Sequence, residues 1–178
     1  MRLLLATLLL TTGLYAAFEL HEAVFLEDAG RVEALLTAGY DVNEENAAGL
    51  TPLHVAIKMR NLDLARRLLE AGANIDAQDG RGNTPLILAV KKKNITLVTF
   101  VALNGADLDL ANDDGVSPLH QAAFTGIVPI VTFLLQTGAD PYATNEGGYT
   151  PYDFAVAKGN LGAANELDIY MHKKGERP

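Results

Sequence analysis

The apolar residues of this chain come in two alternating textures. A compact run, Leu53, Val55, Ala56 and Ile57, ends at the polar pair Arg60-Asn61. A heavier stripe follows, Leu62, Leu64, Ala65, Leu68 and Leu69, and stops at Gly72. The three- and four-residue spacings in that stripe mark one face of a helix, so the pattern predicts two short helices joined at a break. The break recurs at Lys93-Asn94, Gly126-Ile127 and Gly159-Asn160. Turn-rich segments such as "ANIDAQDGRGN" separate each helix pair from the next.

The recurrence has a fixed period. Thr51-Pro52-Leu53-His54 is followed by Thr84-Pro85-Leu86-Ile87, Ser117-Pro118-Leu119-His120 and Thr150-Pro151-Tyr152-Asp153, each 33 residues on. One step back from Thr51, Phe18-Glu19-Leu20-His21 keeps the Leu and the His. Gly39-Tyr40-Asp41, Gly72-Ala73-Asn74, Gly105-Ala106-Asp107 and Gly138-Ala139-Asp140 share the period. Thr or Ser suits a helix N-cap, Pro the first helical position, and Gly the left-handed C-cap. Helices of about 8–10 residues are marginal alone, so stability must come from stacking each pair on its neighbours. Small residues in the first helix and bulky ones in the second give a tapered unit. Stacked tapered units make a curved array with the first helices on its concave side.

The combination Thr51-Pro52-Leu53-His54-Val55-Ala56, Leu68-Leu69 and Gly72-Ala73 resembles the ankyrin repeat. The resemblance implies an all-α solenoid of helix–turn–helix units with β-turn or hairpin tips. About five units, caps included, start near residues 18, 51, 84, 117 and 150, giving a domain over 18–173 and a short polar tail over 174–178. Ile87 replaces the motif His in the third unit. In the last, Tyr152-Asp153 replaces Leu-His and Asp168 stands where an inner Leu is expected, as suits a polar terminal cap.

The N-terminus reads differently. Arg2 precedes an apolar run from Leu3 to Leu14, and small residues follow at Ala16 and Ala17. This is the layout of a secretory signal peptide over residues 1–17. The run is shorter than the roughly 20 residues a spanning helix needs, so no stable membrane anchor is expected after cleavage. Export from the cytoplasm, most simply to a bacterial periplasm, is the expected localisation. The chain contains no Cys, which excludes disulfides and thiolate metal sites. A formal net charge of −8 over 178 residues argues against general nucleic-acid binding.

No constellation points to catalysis, a metal or a cofactor. By the resemblance, His21, His54 and His120 occupy a structural position that bonds between units; placed one unit apart, they could not share an ion. "DLDLANDDG", Asp107 to Gly115, lacks the alternating ligands of a calcium loop. Lys91, Lys92 and Lys93 follow a helix, whereas a phosphate loop needs its Lys at a helix start. Ser117, the only Ser, sits at a cap position. The expectation is a protein that is not an enzyme, with no small-molecule substrate.

The resemblance also implies use: such arrays bind proteins through turn tips and the concave face. Carried over by position, the partner-binding candidates are Leu50, Lys58, Met59, Arg81, Asn83, Lys91, Lys92, Asp113, Asp114, Val116, Phe124 and Tyr149. They run from a basic end to an aromatic middle with acidic later tips. The expected function is a non-catalytic, exported interaction module that protects or stabilises an exported enzyme, for example in oxidative-stress defence. The alternatives are an immunity protein that neutralises a toxin in the periplasm, and a passive structural protein of the envelope.

Overall fold

The computed structural model describes residues 19–173. The segments read as signal peptide and polar tail lie outside the described residues. Among the described residues ten helices form five pairs: α1 (Glu19–Phe25) with α2 (Ala29–Thr37), α3 (Pro52–Met59) with α4 (Leu62–Glu70), α5 (Pro85–Lys91) with α6 (Ile95–Leu103), α7 (Pro118–Thr125) with α8 (Val128–Thr137), and α9 (Pro151–Lys158) with α10 (Leu161–Lys173). No strand occurs among the described residues. The pairs are numbered here as units 1 to 5. The architecture is the expected all-α repeat solenoid.

The starts of the first helices share one chemistry. Thr51, Thr84, Ser117 and Thr150 are extended, and each side chain accepts a hydrogen bond from the backbone N–H three residues on. Proline follows at the first helical turn, where its missing N–H costs nothing. In α3 and α7 the motif His completes a reciprocal cap: Thr51 N–H donates to His54 Nδ1 at 3.1 Å, and Ser117 N–H to His120 Nδ1 at 3.3 Å. In α9 the carboxylate of Asp153 takes this place, accepting from Thr150 N–H at 2.8 Å. In α5 Ile87 has nothing to offer, and the cap is one-sided. Between helices the chain turns through the left-handed region at Arg60 (φ 61°) and Lys93 (φ 56°), where units 4 and 5 use Gly126 and Gly159.

Each first helix packs on the first helix of the next unit. Leu20, Leu53, Leu86 and Leu119 are wholly buried there, and Leu68, Val101, Leu134 and Leu167 form the matching row of the second helices. The His ring joins consecutive units: His21 Nε2 donates to Leu50 O at 2.7 Å, His54 Nε2 to Asn83 O at 3.0 Å, and His120 Nε2 to Tyr149 O at 2.9 Å. Because Nδ1 of His54 and of His120 accepts a backbone N–H, the proton sits on Nε2, where the carbonyl needs it.

The tips are turns closed by two backbone bonds. In unit 3 these run from Asp79 N to Asn83 O (3.0 Å) and from Gly82 N to Asp79 O (2.8 Å). One further backbone bond links each tip to the next: Gly80 N to Ala48 O (3.0 Å), Asp113 N to Arg81 O (3.2 Å) and Glu146 N to Asp114 O (3.2 Å). The array is thus joined along its tips as well as through its core.

The far end of the array departs from the polar cap expected above. Val156 is 50% exposed, although Ile57, Val90 and Ala123 at the same repeat position are fully covered by the following unit. Tyr152 and Leu161 are exposed beside it. Asp153 and Asp168 make only part of this end polar.

Candidate protein-binding face

Equivalent positions of consecutive units line up in rows across the first-helix face. One row, at the last turn of the first helix, reads Phe25, Lys58, Lys91, Phe124, Ala157. A second, just before each N-cap, reads Leu50, Asn83, Val116, Tyr149. Together these rows hold most of the expected contact residues. Lys58, Arg81, Lys91, Asp113, Asp114, Phe124 and Tyr149 are exposed. Leu50, Lys92 and Val116 are half-buried.

One of the expected contacts has internal work instead. Asn83 is only 3% exposed, so it is withdrawn from the contact surface. Its amide nitrogen donates to Asp79 Oδ1 and Oδ2 at 2.9 and 3.2 Å. Its amide oxygen accepts from Asn112 Nδ2 at 3.3 Å and from the Lys91 ammonium. Met59, like Leu50, is half-buried and packs against the core with part of its surface open.

The basic part of the face is a groove of about 500 Å³ between the tips of units 2 and 3. Small residues, Ala47, Ala48 and Gly80, form one side, and Lys58, Arg81 and Lys91 supply the charge. Asp79 is the acidic residue inside it. Burial pushes the Asp79 carboxyl up, but hydrogen bonds from Asn83 and Arg81 outweigh this and hold it below the usual carboxylate range. Its Oδ1 accepts from Arg81 N and Asn83 N, both at 2.9 Å. Asn46, Asn112 and Asn145 fill the same turn role in the other tips. Burial pushes Lys91 below the usual ammonium range; Asp79 and Asp114 pull the other way without restoring it.

The aromatic part is a hollow of about 340 Å³ lined by Phe124, Tyr149, Asp153, Phe154, Ala157 and Lys158. Phe124 is 43% and Tyr149 59% exposed. The Phe124 ring meets Phe154 edge-on at 6.4 Å, and Phe154 meets the His120 ring edge-on at 5.2 Å. Lys158 Nζ lies 4.4 Å from the centre of the Phe124 ring, within cation–π range. The ring is therefore held from one side and open on another.

Sequence reasoning missed Phe25 and Leu26, which are 59% and 60% exposed. They stand 33 residues before Lys58 and Met59. Unit 1 lacks the Thr-Pro marker, so position was not carried back to it; the period alone would have found them. Phe154 was missed as a member of the hollow because it belongs to neither row.

The calcium-like segment also resolves into structure. Asp107 Oδ1 accepts from Asp109 N and Leu110 N, and Asp109 Oδ1 accepts from Asp140 N of the next unit at 2.8 Å. These carboxylates stitch backbone to backbone. Among the described residues no helix is long and apolar enough to cross a membrane.

Comparison with known proteins agrees with this architecture. A family model described as ankyrin repeats (three copies) matches residues 20–110 and residues 91–173. No match is found among curated proteins.

Proposed function

The chain belongs to the ankyrin-repeat family, whose members are generally protein–protein interaction modules, and we propose that it binds one protein partner through the face formed by its tips and first helices. The observation that carries this reading is the pairing of a basic groove with an open aromatic hollow one unit away. Exposed aromatics beside desolvated charge are the composition of binding hot spots. The tip-to-tip bonds and shared caps keep these groups on a pre-organised frame, which lowers the ordering cost of association.

We place the protein outside the cytoplasm. The support is Arg2, the apolar run Leu3–Leu14 and the small residues at Ala16 and Ala17. The partner is then an exported protein. Two roles follow: support of an exported enzyme, our first choice, or neutralisation of an incoming toxin.

Affinity capture with the full chain from the compartment where it resides tests the reading. One stoichiometric partner is expected, and it should be lost when Lys91→Glu, Lys92→Glu and Phe124→Ala are combined. An enzyme whose half-life lengthens on binding supports the first role, and a toxin whose activity is blocked supports the second. Capture unchanged by the triple variant would displace the interface. Sedimentation with the envelope and no soluble partner would favour a structural role.

A further inference from the structure

Lys58, Lys91 and Phe124 occupy one repeat position in three consecutive units, so they form a row of two cations and an aromatic ring. We propose that this row reads an extended segment of the partner in which two acidic residues and one aromatic residue are spaced three apart, acid-x-x-acid-x-x-aromatic, the carboxylates meeting Lys58 and Lys91 and the ring entering the hollow beside Phe124. The proposal rests on the protein-binding reading above and names the chemistry of the segment bound.

The spacing follows from packing. Adjacent packed helices lie about 8–10 Å apart. A polyproline-type segment has three residues per turn and rises about 3.1 Å per residue, so every third side chain returns to one face after about 9 Å. That match lets one segment address three consecutive units.

Charge selects the acid. Among the described residues no carboxylate lies within ion-pair distance of Lys58, Arg81 or Lys91. Asp79, the one acid in the groove, is committed to the tip turn through Arg81 N and both nitrogens of Asn83. The Lys91 ammonium is fixed by Asn83 Oδ1, so its position is set before anything binds. Partial burial and the neighbouring Arg81 charge lower the Lys91 pKa despite Asp79 and Asp114, and an incoming carboxylate would oppose that lowering. Ala47, Ala48 and Gly80 leave room for a backbone to approach. At the aromatic end, Lys158 and Phe154 brace the Phe124 ring, while Tyr149 and Ala157 complete a hollow sized for one large apolar side chain.

The probe is a synthetic peptide with Glu at two positions three apart and Phe three further on, in a Pro/Ala background. It is titrated into the isotope-labelled full chain by NMR. Amide shifts should cluster around Lys58, Lys91 and Phe124. Replacing both Glu by Gln in the peptide, or combining Lys58→Glu and Lys91→Glu in the protein, should weaken binding tenfold or more. Asp79→Asn should strengthen it severalfold, because the competing charge is removed while the one oxygen that takes Arg81 N and Asn83 N is kept, as in the three tips that use Asn; the bond lost is the 3.2 Å one from the Asn83 amide to Oδ2. Equal binding of the Gln peptide, no shift at millimolar peptide, or shifts centred on the second helices overturns the proposal. If the triple variant loses a native partner while the peptide is inert, the acidic-segment proposal falls and the binding-module reading stands. A peptide bound as described with no captured partner does the reverse.

Discussion

The side-chain oxygen of Asn83 accepts a hydrogen bond from the Lys91 ammonium, and the nitrogen of the same amide donates to Asp79 at 2.9 Å. One buried amide therefore joins a tip carboxylate to a cation on the binding face. Asn83 shapes the face without touching a partner.

Asn83→Ala removes this link and leaves the Asp79 oxygens with backbone donors only. A buried hydrogen-bonded group lost in this way costs about 1–3 kcal/mol. We expect a lower denaturant midpoint by that amount, and a Lys91 amine whose NMR signal broadens as its position is released. An unchanged midpoint would mean that the amide is a bystander.

The His54 ring bonds inside its own unit through Nδ1 and across to the next through Nε2. His54→Leu keeps the volume but strands the Thr51 N–H, while the Asn83 carbonyl loses its bond to the ring and keeps the one from Asp79 N. The expected loss is about 1–3 kcal/mol, that of one buried unsatisfied donor. Hydrogen exchange should quicken most at the junction of units 2 and 3.

Burial pushes both His54 and His120 below the ordinary imidazole range; bonds to the Asn83 and Tyr149 carbonyls only partly oppose it. Above about pH 6.5 the rings are neutral in folded and unfolded chains alike, and their contribution is complete. Below that pH the unfolded chain takes up protons first, so stability falls as pH falls. Asp79 and Asp153, both held below the usual carboxylate range, add loss in the same direction below about pH 4. Denaturant midpoints measured from pH 7.5 to 5 should therefore decline, and the double variant His54→Leu, His120→Leu should flatten that decline.

Gly82 turns the unit 3 tip at φ 70°. A Cβ there would press on the Asp113 carboxylate and lie 2.6 Å from Asp113 N, the group that donates to Arg81 O of the neighbouring tip. Gly82→Ala should cost about 1–3 kcal/mol from the left-handed strain and the displaced tip. Because Arg81 moves with the tip, the acidic probe should also bind less tightly.

The period of 33 residues carried most of the fold in plain view. Thr-Pro starts and the breaks at Arg60 and Lys93 landed where the structure has caps and left-handed turns. Burial within a row was not legible in the same way. Asn83 and Tyr149 are equivalent by count, yet one is buried and the other 59% exposed. What separates them is the local partner: Asn83 meets Asp79 and Lys91, while the matching tip acceptor for Tyr149 is the neutral Asn145. The Lys91–Lys93 run reads as one basic patch in sequence but separates in space. Lys91 enters the groove, the carbonyl of Lys92 accepts from Arg60, and Lys93 makes the turn.

The central claim is that a partner meets the first-helix face around Phe124. A photo-reactive phenylalanine analogue at position 124 preserves the ring and reports contact directly. The control is the same analogue at Gln136, which is exposed on the second helix of that unit. Irradiation in the native compartment should give one discrete adduct from position 124 and none from position 136. An adduct from 136 with none from 124 would contradict the account.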